Sequence, residues 1–287
     1  MEKNILNNYL FTLLASCERN LSAYLKDKES ESLHHLRVDI KKINALLSFA
    51  EKVYREKYDT ASLKSIFHQA GEIRVTQINL RLLDAVPILP QQLITGLRNT
   101  ENIACQKLID EGPVHLMNLK HFGEQTRLAE LLPAKKTIIN YFKKERKKAE
   151  QLLQHIDREN LHPYRKKIKK ILYLYGALPK KIQDKINIDI ERIDQQQRWI
   201  GDWHDTFSAI GFLSSQHFAM QDPDFLLHLK EKENTQFNAL LRNLNINKRK
   251  KVSALLIIAL CIPLIVFPLL LKFSGNFRFL GVKKCRT

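Results

Sequence analysis

Glycine is scarce in this chain, with 9 among 287 residues, and few stretches alternate polar and apolar side chains with period two. Rossmann-type folds and β-sandwiches therefore have nothing to stand on. The four cysteines, Cys17, Cys105, Cys261 and Cys285, are widely scattered with no C-x-x-C pair. That spacing argues against a disulfide framework or a zinc site and for a reducing compartment. Also missing are a P-loop, a carboxylate cluster able to hold two metals, and a nucleophile with its base. The apolar run YLFTLLAS (9–16) lacks the basic leader and cleavage site of a signal peptide, and reads as the core face of a first helix. Acidic residues are outnumbered: 30 Asp plus Glu against 47 Lys plus Arg leave a formal net charge of +17. Such a surface favours polyanions, whether nucleic acid, anionic lipid or phosphate polymers.

What remains is helix almost throughout, since apolar residues recur three and four apart. VPILP (86–90) and DEGPV (110–114) are expected to break helices, and Pro133 to start one. The C-terminal end differs in kind. VSALLIIALCIPLIVFPLLL (252–271) is 20 residues without a charge, enough for a helix to cross about 30 Å of hydrocarbon. KRKK (248–251) precedes it and further Lys and Arg follow, and the absence of a signal peptide favours a cytoplasmic body.

One pattern is written twice. LHHLRVDIKK begins at Leu33 and LHPYRKKIKK at Leu161, sharing Leu-His-x-x-Arg-x-x-Ile-Lys-Lys at an offset of 128. AGEIRV (70–75) and IGDWHD (200–205) match at an offset of 130, with Gly71 facing Gly201 and Glu72 facing Asp202. Two matches in register indicate a duplicated unit. The expected fold is all-α: a first helical half over 1–131, a second over 132–247, each like a four-helix bundle, and a tail over 248–287.

At about 100° per residue, His34, Arg37, Lys41 and Asn44 share one stripe, while Leu36, Ile40, Ile43 and Leu47 lie opposite. The second copy puts His162, Arg165 and Lys169 on the stripe, with Tyr164, Ile168, Ile171 and Tyr175 in the core. Lys42 flanks the first ladder, and Lys166 and Lys170 widen the second. A row of cations on a rigid helix suits a phosphate chain, with Arg forks giving bidentate contacts and Lys giving point charges. His34 and His162 would add donors.

These residues carry a resemblance. The doubled His-x-x-Arg helix, followed in each half by a Gly-acidic-x-x-Asp turn, resembles the CHAD family, the conserved histidine α-helical domain, over roughly residues 5 to 245. The resemblance implies two pseudo-symmetric four-helix bundles whose basic residues line a cavity or groove for inorganic polyphosphate, without a catalytic role. This chain departs from the family pattern at Asn44 and Leu172, where an Arg is common, and at Val75, where an Asp is usual.

Plainer readings compete with each feature. A basic stripe can be a solvated face, and either histidine can hold a loop. A metal role is disfavoured, because His34 and His35 would point about 100° apart on a helix. KKERKK (143–148) reads mostly as a solvated helix face, and Asp202 and Asp205, after a glycine turn, as caps or ion-pair partners of the next helix. The resulting expectation is a membrane-anchored, non-enzymatic binder of polyphosphate or another polyanion, needing no cofactor. Its site comprises His34, Arg37, Lys41, Lys42, His162, Arg165, Lys166, Lys169 and Lys170. Nucleic acid, anionic lipid, or partnership with a phosphate-metabolising enzyme are the alternatives; no helix-turn-helix, RRM or OB signature supports the first.

Overall fold

The computed structural model describes residues 3–84, 86, 91–154, 156–215 and 224–244. These fall into nine helices: α1 (Ile5–Asp27), α2 (Ser30–Tyr54), α3 (Ala61–Leu83), α4 (Gln91–Gln125), α5 (Lys135–Leu152), α6 (Arg158–Gly176), α7 (Lys180–Gln183), α8 (Ile190–Ser214) and α9 (Asp224–Asn243). The fold is all-α, as the periodicity requires. The predicted membrane span, with the whole stretch 248–287, lies outside the described residues. Among those described, no helix is long and apolar enough to cross a membrane.

In the first half the helices close a ring: α1 packs on α2 and α4, and α3 on the same two. In the second, α6 packs on both α5 and α8. The halves meet where α2 touches α6 and α3 touches α8. Among the described residues, those up to Gln236 form one compact unit that contains these contacts, and residues 237–244 fall outside it.

Burial follows the apolar stripe. Leu33, Leu36, Ile40 and Ile43 of α2 are fully enclosed, as are Leu10, Cys17 and Leu21 of α1. Each such Leu or Ile contributes about 1.5–3 kcal/mol relative to exposure. This core continues without a break into Ile171 and Leu174 of α6. Tyr175 is only partly buried at its margin. A second core joins Leu83 and Leu93 to Ala209, Leu213 and Leu229. The link between halves is fixed by buried Asn7: its Nδ2 donates to Leu128 O and its Oδ1 accepts from Leu128 N, both at 2.8 Å.

The break expected at DEGPV is absent. Pro113 sits inside the 35-residue α4. A proline there removes the bond to Ile109 O at a cost of about 3 kcal/mol, yet buried Leu108, Gly112, His115, Leu119 and Phe122 form a continuous seam on both sides of it. Packing outweighs the lost bond. Gly112 is part of the reason: a Cβ there would come within 2.6 Å of Leu25, so its absence lets α1 approach. Likewise Gly71 and Gly201 are not turn residues but lie within α3 and α8.

Candidate functional site

A cavity of about 530 Å³ opens between α2 and α6. Six cations line it: Arg37 and Lys41 from the first half, and Arg165, Lys166, Lys169 and Lys170 from the second. Among the described residues, no carboxylate lines it. The two ladders therefore face one space. His162 also lines it, whereas His34 and Lys42 do not. Lys42 is turned about 100° from Lys41 and pairs instead with Asp39 at 2.9 Å. Its counterpart Lys170 donates to Ser48 Oγ at 2.6 Å and stays in the cavity wall.

The repeated motif explains the glycines. Arg37 Nη1 donates to Phe67 O at 2.5 Å, and Arg165 Nε donates to Gln197 O at 3.0 Å. Each accepting carbonyl belongs to the residue four before the glycine. A Cβ on Gly201 would lie 2.7 Å from Arg165 Nη2, and one on Gly71 would overlap Arg37 Nη1. Glycine thus forms a seat in which each guanidinium lies flat against the facing helix. Phe67 completes the first seat, with the Arg37 guanidinium carbon 4.2 Å from its ring centroid.

Crowding shapes the electrostatics. Burial, followed by the charges of Lys169, Arg37 and Arg165, pushes Lys41 down to about 7. Burial and Arg165 bring Lys169 to about 8. Burial and Lys52 bring Lys170 to about 8. Burial and Arg74 lower Arg37 to about 10. His162 stacks on His204 with ring centroids 4.0 Å apart, and burial with neighbouring cations holds both down to about 4. Both imidazoles are neutral near pH 7. His34 is also lowered, first by burial and then by Arg74. Asp205 does not cap a helix: it lies mid-α8, 4.0 Å from Arg81 of α3, and burial raises its carboxyl pKa.

Sequence reasoning missed Phe67, Tyr173 and His204. Tyr173 puts its ring 5.6 Å from Lys169 Nζ. His204 stands three residues past Gly201 in the second matched segment, as Arg74 does past Gly71. That correspondence was the available signal. Among the described residues, no three His, Cys, Asp or Glu side chains gather closely enough to hold a metal ion.

A crowded cationic cavity, offset only in part by Asp205, Asp194 and Glu145 around it, can hold an anion bearing several charges, because such a ligand stabilises the charged form of these cations. Comparison with known proteins places this geometry. None of the curated proteins matches the chain. A solved structure described as the CHAD domain from the plant Ricinus communis is similar, with a TM-score of 0.57 and 16% identity over 84% of this chain and 91% of that one. At that identity the likeness concerns the fold. A sequence model of the CHAD domain matches residues 8–214, most of the chain, and the chain belongs to the CHAD domain family.

Proposed function

We propose that the protein binds inorganic polyphosphate in the α2–α6 cavity and acts by binding rather than by catalysis. One observation carries this reading: six cations from two halves line one space with no acid among them. Arg37 and Arg165 are held by backbone carbonyls yet keep donors free for phosphate oxygens. A polymer with charge on every unit matches several fixed cations better than a single phosphate group would. The uncharged run 252–271 supports a membrane anchor, with the helical body on the cytoplasmic side.

The test is titration of the full chain, in mild detergent, with long-chain polyphosphate, RNA and ATP over a salt series. Polyphosphate is expected to bind tightest, with affinity falling steeply as salt rises. Replacing Arg37, Lys41, Arg165 and Lys169 by Gln should abolish binding. Neutralising the exposed Lys143, Lys144 and Lys147 of α5 should not. Equal losses from both variants would mean diffuse attraction to net charge. For the anchor, the chain should stay with membranes through high salt and alkaline carbonate; release by salt alone would refute insertion.

A further inference from the structure

Beside the cavity, α2, α5 and α6 bring a second group of lysines together around one carboxylate. Glu145, from the middle of KKERKK, is not on a solvated face: its side chain is 3% exposed. Lys52 Nζ lies 3.2 Å and Lys148 Nζ 3.1 Å from its Oε1, while Lys167 Nζ is 3.8 Å from its Oε2. Oε2 accepts no hydrogen bond. Three cations converge on one anion, so the group keeps an excess of positive charge. The lysines themselves are 47%, 39% and 38% exposed, so a ligand in solvent can reach them where Glu145 holds them.

The group is electrically continuous with the cavity. Lys170 lines the cavity, and Lys52, Lys167 and Lys148 are among the charges that lower its pKa, while Glu145 opposes them. Nothing in the proposed cavity chemistry uses this group. Glu145 holds three long, flexible side chains near one point, reducing the rotamer freedom that a ligand would otherwise have to quench.

We infer that Lys52, Lys148 and Lys167, gathered by Glu145, form an outlying phosphate subsite that takes up the part of a polyphosphate chain extending past Lys170 out of the cavity. The inference rests on the cavity reading above. It makes chain length a determinant of affinity: a short oligomer satisfies the cavity alone, and a long one reaches both sites, gaining by linked occupancy.

The experiment compares tripolyphosphate with long-chain polyphosphate on the full chain in mild detergent, for the unaltered protein, the triple variant K52Q/K148Q/K167Q and the charge-matched control K143Q/K144Q/K147Q. Circular dichroism and melting confirm folding. The triple variant should lose about tenfold in affinity for the long chain and flatten its salt dependence, while tripolyphosphate affinity changes less than about twofold; the control should leave both ligands unaffected. An undiminished long-chain affinity, or equal losses for the two ligands, would overturn the subsite. If the triple variant unfolds, K52Q alone carries the test, with a smaller loss confined to the long chain expected and no loss overturning it. Failure of the unaltered protein to bind either ligand would refute the cavity reading itself.

Discussion

Arg165 lies against Gly201 as Arg37 lies against Gly71, and in neither seat is there room for one more carbon. Gly201→Ala should therefore push the guanidinium away from Gln197 O and weaken polyphosphate binding, while stability changes by less than about 1 kcal/mol because the flexible end of Arg165 can shift. Thermal melting and titration check both; an alanine that leaves polyphosphate affinity unchanged would refute the seat. Lys41 makes the opposite case. Its ammonium is held down to about 7 by burial and by its cationic neighbours, so Lys41→Met should raise the melting temperature of the unliganded protein while lowering affinity. Melting without and with polyphosphate separates the two effects. The stripe carrying Arg37, Lys41, Arg165 and Lys169 was legible in the sequence because apolar residues opposite it recur at helical spacing. The seats were not. Glycine usually marks a turn, and only the approach of a second helix shows that Gly71 and Gly201 make space instead. Phe67 was invisible for the same reason, since it reaches the site from α3.

α4 tests how far packing overrides local preference. Two of its three glycines differ: Gly112 faces Leu25 at 2.6 Å from a would-be Cβ, whereas Gly96 has nothing within 4 Å. Gly96→Ala should stabilise the protein by about 0.5–1 kcal/mol through helix propensity. Gly112→Ala should destabilise it by about 1–3 kcal/mol, as overpacking does. Denaturant melts of the two variants give the comparison, and changes of the same sign would contradict the seam between α1 and α4. The sequence signalled the helix but not its continuity through Pro113. A proline reads locally as a stop, and the buried seam that carries the helix onward becomes visible only when Leu108, His115 and Leu119 are seen to share one face. The interruption expected near VPILP was legible: α3 ends at Leu83 and α4 begins at Gln91. KKERKK hid a buried residue among its charges, since Glu145 meets lysines that come from α2 and α6 as well as from its own helix.

For the molecule as a whole, depressed lysines tie stability and binding to pH with opposite signs. Lys41 titrates near 7 when folded and near its ordinary 10.5 when unfolded, so between those values the unfolded chain holds more protons. By linkage, this group makes the unliganded fold gain stability as pH rises through that window, and lose it as pH falls to about 7. A bound polyanion restores the proton, so affinity should be highest below about 7 and decline above it. Calorimetry in buffers of different ionisation heat should show proton uptake on binding near pH 8; proton release would contradict the cavity's electrostatics. The duplication was legible at this scale, and so in part was the divergence of its copies, since Lys166 and Lys170 widen the second ladder in the sequence itself. Where Asp39 binds Lys42 in the first copy, Lys167 stands in the second and Lys170 remains at the cavity. Two cavity cations come from α2 and four from α6. A polymer of identical units offers nothing to read except charge, so its resting register is set by the slope of the protein's field. That slope runs toward the second half, and a chain entering from either end should come to rest against α6.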